Sequence, residues 1–220
     1  MKLVLASGSQ RRRELLTMCG YDYEIIVSNA DETIDENDPE SFVRALSFRK
    51  AKEVFDRLFA AGRRDFAVIG SDTVVAFQKE GGTKPVIIGK PKDAKDAVRI
   101  LSMLSGKTHR VFTGVSVIAD IPDENADAQC SIRKKAEIQT ECSITEVTFE
   151  TLSPDEITDY VNSGDPLDKA GSYGIQGPFG MFVREIRGNY FTVIGMPIPV
   201  LYKMLKKIGI LPHGFYERIE

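Results

Sequence analysis

The spacing of apolar residues along the chain predicts an alternation of strands and helices. Residues 3–6 form a short apolar run that ends at a Ser-Gly-Ser turn, and apolar residues then recur at helical spacing as far as Gly20. A longer helical stripe runs from Pro39 to Gly62, and the valine-rich run over residues 66–76 predicts a buried strand. These segments indicate a strand, a turn and a helix, followed by a long helix and a buried strand.

The remainder of the chain continues this mixture of elements. Further strands are predicted at residues 86–88, 109–119, 136–144, 181–186 and 190–194. Further helices are predicted after the cap residue Asp93, after the capping box Ser153-Pro154-Asp155-Glu156 and over residues 200–208. This order favours an α/β fold whose sheet has antiparallel parts, and we expect one domain over residues 1–220 because no linker divides them.

Composition and charge restrict the classes of function. The net charge of -3 gives no overall attraction for nucleic acid, so any anion-binding surface must be local. Cys19, Cys130 and Cys142 form no closely spaced pair, which predicts free thiols in a reducing compartment, with no disulfide and no zinc site. The apolar runs are too short for a secretory signal or a membrane span, so we expect a cytoplasmic protein. With only His109 and His213 available, carboxylates, lysines and arginines are expected to do the chemistry.

Three consecutive arginines, at positions 11–13, crowd the start of the first predicted helix, the end at which the helix dipole disfavours cations. An anionic ligand would offset them, since a strand that turns into a helix offers backbone N–H donors, hydroxyls and bidentate arginines to phosphate oxygens. The turn is not a Walker A loop, because the glycine-lysine-serine/threonine ending is absent. The alternative is a solvated basic turn paired with Glu14.

Asp72 is a carboxylate inside a run that should be buried, between Val68-Ile69 and Val74-Val75. Burying an ionised carboxylate costs several kcal/mol unless it is paired, hydrogen-bonded or bound to a metal. Near phosphates and a cation, Asp72 could accept a proton from an attacking water or hold the metal that orients this water. The alternative is an aspartate in a turn that bends the chain after Gly70.

Further candidates are Lys50, Lys90, Glu32 and the glycine-rich segment of residues 164–177, which contains Gln176. The stem of Lys50 lies on the apolar stripe of its helix, and Lys90 follows a short strand. Glycines allow close backbone approach, and the Gln176 amide both donates and accepts, as a base edge requires. The alternatives are two surface lysines, a solvated acid and a flexible loop.

Taken together, these segments resemble the Maf family of nucleotide pyrophosphatases over residues 3–205. The strings that carry the resemblance are Leu-Ala-Ser-Gly-Ser-Gln-Arg-Arg from Leu5, Ser-Asp-Thr from Ser71, Gly-Lys-Pro from Gly89, Thr-His-Arg-Val-Phe-Thr-Gly-Val from Thr108 and the glycine-rich string that ends at Gln176. One departure is Gln10, where the family usually has proline. Gln10 keeps an N–H donor and a free φ, which affects the rigidity of the turn more than its chemistry.

The resemblance implies a mixed central sheet flanked by helices, with two lobes around a cleft as in the inosine-triphosphatase-like fold, and commonly a homodimer. It implies hydrolysis of a nucleoside triphosphate between its α and β phosphates, with Asp72 as the proton acceptor. It implies that Asp72 and Glu32 hold a divalent metal, Mg²⁺ or Mn²⁺. The site residues that it implies are Ser7, Arg11, Arg12, Glu32, Lys50, Asp72, Lys90 and Gln176.

Specificity within the family differs between subgroups, one of which hydrolyses dTTP and UTP while another prefers 7-methyl-GTP. Arg11, Thr73 and Gln176 resemble the dTTP/UTP pattern, with CTP and modified pyrimidine nucleotides as further candidate substrates. The alternatives are a 7-methyl-GTP pyrophosphatase and a nucleotide-sensing regulator of cell division without turnover. A nucleic-acid-binding module is disfavoured by the overall acidity of the chain.

Overall fold

The structure is a computed structural model that describes residues 1–78, 81–82, 84–121 and 136–213. The polar connection predicted over residues 120–135 lies almost entirely outside these residues, as does Cys130. Within them, none of the helices is both long and apolar enough to cross a membrane.

The described chain forms a mixed α/β structure. Its strands are β1 (Lys2–Leu5), β2 (Glu24–Ile25), β3 (Phe66–Phe77), β4 (Val86–Ile88), β5 (Thr108–Ala119), β6 (Glu137–Phe149) and β7 (Val183–Arg187). Its α-helices are α1 (Gln10–Met18), α2 (Pro39–Ala60), α3 (Ala94–Leu104), α4 (Pro154–Asn162), α5 (Tyr190–Ile194) and α6 (Ile198–Lys207). Short 3-10 helices occupy Asp165–Asp168, Ala170–Ser172 and Pro178–Phe182.

One mixed sheet contains all seven of these strands, in the order β2-β1-β3-β5-β6-β7, with β4 added to the end of β3. Strand β1 runs parallel to β2 and β3, whereas the pairs that involve β4, β5, β6 and β7 are antiparallel. The predicted α/β fold with a mixed central sheet is therefore confirmed.

Most predicted elements are confirmed, but the strand predicted at residues 190–194 is wrong. These residues form α5, because the Asn189 side chain accepts a hydrogen bond from the Thr192 N–H and caps the helix. At the other end, Gly195 has φ 111°, in the left-handed region where glycine commonly ends a helix. A run of five apolar and β-branched residues has no period that separates a strand from a helix, so the caps decide its conformation. The two-residue strand β2 was not predicted.

The long strands β3 and β5 pass through two hydrophobic cores and so join two lobes. In the first lobe, Ala67 and Ile69 pack with residues of α1 and α6. In the second, Val75 and Phe77 pack with residues of α3 and α4. Between these apolar stretches β3 carries the polar residues Ser71, Asp72 and Thr73, so the polar centre of the strand lies where the lobes meet. The two-lobed arrangement predicted around a cleft is confirmed.

Helix α2 lies very close to the sheet because two glycines face it. A Cβ atom at Gly70 would lie 2.2 Å from the carbonyl oxygen of Ser47, and a Cβ at Gly114 would lie 2.2 Å from that of Val43. The Ser47 hydroxyl also lies 3.0 Å from the hydroxyl of Ser116 on β5. The backbone of α2 therefore rests on β3 and β5 at a distance that a side chain at either glycine would prevent.

We predict that Gly114→Ala destabilises the protein by about 1–3 kcal/mol, because the new methyl group collides with the backbone of α2. Urea unfolding of the variant and the wild type measures this difference. Gly89→Ala is the matched control, since a Cβ at Gly89 has no neighbour within 4 Å among the described residues. Equal destabilisation by the two substitutions would contradict the close packing of α2.

Candidate functional site

A gap in strand pairing opens the cleft at the centre of β3. One edge of β3 pairs with β1 through residues 66–69 and with β4 through residues 75–77. In the described part of the chain, residues 70–74 have no strand partner on this edge. A cleft of about 1290 Å³ lies there, and its lining includes every predicted site residue: Ser7, Arg11, Arg12, Glu32, Lys50, Asp72, Thr73, Lys90 and Gln176.

Lys50 forms a shielded ion pair with Asp72. The Lys50 Nζ atom lies 2.7 Å from Asp72 Oδ1 and 2.9 Å from Glu32 Oε1. The side chains of Lys50 and Asp72 are each 12% exposed, whereas that of Glu32 is 66% exposed. The Lys50–Asp72 contact is therefore partly desolvated and strong, and the Lys50–Glu32 contact is screened by water. Lys50 is the partner that a carboxylate inside a buried strand requires.

Arg12 is held by three oxygen atoms from different parts of the chain. Its Nε donates to the carbonyl of Gly195 at 2.9 Å, its Nη1 to the hydroxyl of Ser7 at 3.2 Å and its Nη2 to the hydroxyl of Thr73 at 3.4 Å. Because a guanidinium carries five N–H donors, these bonds leave one N–H on each terminal nitrogen for a ligand. Two such N–H groups match two phosphate oxygens.

The electrostatic environment of Arg12 combines desolvation with nearby charges of both signs. Burial lowers the pKa of Arg12 from its usual value, the carboxylates of Asp72 and Glu32 act to raise it, and the neighbouring Arg11 acts to lower it. A desolvated cation gains more from an anionic ligand than an exposed one does, since water screens the attraction less.

Asp72 and Thr73 meet the cleft from opposite faces of β3. Neighbouring side chains of a strand point to opposite faces, so Asp72 faces α2 and its Lys50, whereas Thr73 faces Arg12 and Gly195. Because the edge of β3 is open at this point, both faces border the same cleft. One strand therefore brings an acid and an arginine site together.

Sequence reasoning did not single out Asp165, Asp168 and Lys169, which also line the cleft. The Asp168 carboxylate lies 3.5 Å from Arg11 Nη1 and 2.7 Å from Lys169 Nζ, so it links the start of α1 to the glycine-rich segment. Lys169 also contacts the Asp165 carboxylate at 3.0 Å. The charged residues inside the glycine-rich string are visible in the sequence, but the contact of Asp168 with Arg11 is not, because the two residues are far apart along the chain.

Lys90 and Gln176 are exposed residues at the second-lobe side of the cleft. The N–H of Gly171 donates to the carbonyl of Gly89 at 3.0 Å, which ties the loop of Lys90 to the glycine-rich segment of Gln176. A Cβ at Gly171, which has φ 73°, would lie 2.6 Å from Val75 Cγ2, so this position requires glycine. The two loops are thus held together on the end of β3.

Aromatic residues of the second-lobe core pack against the glycine-rich segment. The His109 Nε2 atom lies 2.9 Å from the Tyr173 hydroxyl, and Phe149 packs edge-on against both rings. Tyr160 donates to the Asp165 carboxylate at 2.5 Å and accepts from the Gly174 N–H at 3.0 Å. These aromatic contacts therefore position the residues of this segment that line the cleft.

Asp72 and Glu32 could hold a magnesium-like cation, although no group of three or more His, Cys, Asp or Glu residues suited to a metal occurs in the described chain. Both carboxylates contact the ammonium of Lys50, so their oxygen atoms lie close to each other. Mg²⁺ is typically bound by one or two carboxylates and completes its coordination with water and substrate phosphates. The two acids therefore fit a cation that arrives with a phosphate ligand.

We predict energetic coupling between Lys50 and Asp72. Lys50→Met leaves the Asp72 carboxylate without its shielded partner, and Asp72→Asn weakens the attraction for Lys50. In the double variant, the second substitution should lower the free energy of unfolding by less than it does alone, because the ion pair is already lost. Urea unfolding of the two single variants and the double variant should give a coupling free energy of about 0.5–3 kcal/mol. Additive effects of the two substitutions would show that the pair adds no stability.

We predict that His109 makes folding sensitive to acid. Desolvation lowers the pKa of His109 to about 3 in the folded chain, whereas the unfolded histidine has its usual pKa of about 6.5. The unfolded state therefore binds the extra proton as the pH falls below about 6.5, and the free energy of unfolding declines by up to about 1.4 kcal/mol per pH unit. Urea unfolding between pH 6.5 and 5 should show a shallower decline for His109→Gln. An unchanged slope in this variant would assign the sensitivity to other groups.

Comparison with known proteins finds relatives along almost the whole chain. The family model described as Maf-like protein matches residues 2–208. A dTTP/UTP pyrophosphatase from Agathobacter rectalis is 40% identical over 217 residues, which cover 95% of this chain and 98% of the relative. A dTTP/UTP pyrophosphatase from Bacillus thuringiensis subsp. konkukian is 42% identical over 210 residues, which cover 95% of this chain and 96% of the relative.

The Staphylococcus aureus Ham1 protein matches with a TM-score of 0.49 and 14% sequence identity, and the match covers 94% of this chain and 99% of that chain.

Proposed function

This chain belongs to the family of Maf-like proteins, and we propose that it is a nucleoside triphosphate pyrophosphatase that hydrolyses dTTP and UTP to the monophosphate and pyrophosphate. Relatives that are 40% and 42% identical over 95% of the chain bear the name dTTP/UTP pyrophosphatase. The observation that carries the proposal is the convergence of Arg12, Lys50 and Asp72 on one cleft. Phosphate-binding cations and an acid are both needed for this reaction, and the cleft contains both.

The phosphates bind among the basic residues. Arg12 offers two N–H groups in a fixed plane, and Lys50 and Lys90, which also line the cleft, add positive charge. The start of α1 lies at the same place, and the Ser9 side chain does not cap it, so the N–H groups of its first turn can donate to phosphate oxygens. These groups offset the charge that develops as pyrophosphate leaves.

The attacking water is activated at Asp72. Its carboxylate, held in place by Lys50, accepts a proton as the water oxygen attacks the α phosphorus and the bond to the pyrophosphate oxygen breaks. A divalent cation, Mg²⁺ or Mn²⁺, when held by Asp72 and Glu32 would neutralise charge on the phosphates. Lys50 is the neighbour of both acids, so it also positions them relative to each other.

Arg11, Thr73 and Gln176 set the specificity for pyrimidine nucleotides. Gln176 is exposed to the cleft, and its amide can donate to and accept from the edge of a base. Arg11 also lines the cleft, beside Asp168. The Thr73 hydroxyl is already bonded to Arg12 and Thr113, so this residue acts on the bound nucleotide chiefly through the position of Arg12. CTP and modified pyrimidine nucleotides are the further substrates of the proposal.

The protein is proposed to act in the cytoplasm, as a single domain over residues 1–220 and as a homodimer, on free nucleotides rather than nucleic acid or membranes. The net charge of -3 and the local character of the basic cleft support a small anionic substrate. The mass of the protein in solution, measured by light scattering, tests the homodimer.

We predict that the wild type releases pyrophosphate fastest from dTTP and UTP in a panel that includes CTP and 7-methyl-GTP, with Mg²⁺ or Mn²⁺ present. Asp72→Asn should lower kcat about 10²–10⁴-fold, because the amide cannot accept the proton, while dTTP still binds. Glu185→Gln is the matched control, since this acid pairs with Arg187 on β7 and does not line the cleft.

Three outcomes would overturn parts of this assignment. Preference for 7-methyl-GTP would place the protein in the other specificity class. Binding of dTTP by the wild type without pyrophosphate release would indicate a nucleotide sensor. Full activity of Asp72→Asn would remove Asp72 from the proton transfer.

A further inference from the structure

We infer that Thr113, which does not line the cleft, is a positioning residue that orients Arg12 through a directed chain of hydroxyl groups. The inference rests on the proposed function in one respect, since it takes Arg12 to be a phosphate-binding group. The chain runs from Arg12 through Thr73 and Thr113 to the carbonyl of Thr192 in α5.

The sheet register brings the two threonines together. Thr73 on β3 and Thr113 on β5 are directly paired, so their side chains lie on the same face, and their Oγ1 atoms are 3.0 Å apart. Thr113 and Thr192 are both fully buried. The Thr113 Oγ1 atom lies 2.7 Å from the carbonyl oxygen of Thr192. Buried hydroxyls with partners this close keep one arrangement.

The direction of the hydrogen bonds follows from the number of donors. A carbonyl oxygen only accepts, so the single hydroxyl hydrogen of Thr113 goes to Thr192. The bond between the two threonines therefore uses the hydrogen of Thr73 and a lone pair of Thr113. A lone pair of Thr73 then faces Arg12 Nη2, which can only donate. Thr113 thus fixes Thr73 as an acceptor for Arg12.

The residue that follows α5 holds Arg12 at a second point. The carbonyl of Gly195, directly after α5, accepts from Arg12 Nε at 2.9 Å and from the Ser71 hydroxyl at 3.0 Å. Thr113 is therefore bonded to the element that supplies another acceptor for the guanidinium. Together these bonds fix the plane of the guanidinium on the sides that face the protein. Loss of the Thr113 hydroxyl would free the Thr73 hydrogen to rotate, and Thr73 would no longer present a fixed lone pair.

Thr113→Val tests this role because valine keeps the shape of threonine and removes the hydroxyl. Thr148→Val is the matched control, since Thr148 is buried on β6 and its hydroxyl lies 2.8 Å from that of Thr108, its partner in the sheet register. The pair at Thr148 resembles the pair at Thr113 but does not line the cleft or contact Arg12. Thr113→Ser restores the hydroxyl, and Thr113→Ala removes it at the cost of a methyl group.

The measurements are calorimetric binding of inorganic triphosphate and the kcat and KM for dTTP. We expect Thr113→Val to weaken triphosphate binding about tenfold and to raise KM by a similar factor with a smaller change in kcat, because a phosphate contact is made in both the bound and the transition state. Thr113→Ser should return both values to within about twofold of the wild type, as should Thr148→Val. If Thr113→Val does not fold, the comparison of Thr113→Ser with Thr113→Ala decides.

Wild-type triphosphate affinity in Thr113→Val, an equal loss in Thr148→Val or no recovery in Thr113→Ser would overturn the positioning role. The proposed function fails separately, if the wild type binds triphosphate with a dependence on Thr113 but releases no pyrophosphate from dTTP.

Discussion

The contact of α2 with the sheet at Gly70 and Gly114 is the constraint on which the site depends. Because neither glycine has a side chain, the helix backbone approaches β3 and β5 more closely than any other residue would allow. Lys50 lies about one turn after Ser47, the residue in contact with Gly70, and so reaches Asp72 at 2.7 Å. The ion pair offsets the cost of placing a carboxylate in a buried strand. The close approach of α2 brings the two charges into contact.

The fold and much of the site could be predicted from local pattern, whereas contacts across the chain could not. Asp72 is a carboxylate within a largely apolar run, and the arginines conflict with the helix dipole at the start of α1, so both are visible in the sequence. The bond from Arg12 to Gly195 joins residues 183 positions apart and depends on how α5 packs. Thr113 lies in one of the strings that carry the family resemblance, but its position in a strand does not single it out, because threonine is common in strands.

Several charges of the cleft are paired within the protein. Lys50 lies between two carboxylates, and the Asp168 carboxylate contacts both Arg11 and Lys169. A bare anion would have to compete with these acids for the cations. A triphosphate that enters with a divalent cation brings charge of both signs, so it can replace the internal pairs on each side without leaving a carboxylate uncompensated.

The alternation of side chains along β3 also limits which insertions and deletions this strand can accept. Asp72 and Thr73 serve different faces of one strand, and the pairing of β1 with residues 66–69 sets the phase of both. A single residue gained or lost between Phe66 and Asp72 would turn the carboxylate towards Arg12 and the hydroxyl towards Lys50. Substitution can therefore vary the apolar residues of this stretch, but an insertion or deletion would exchange the two halves of the site.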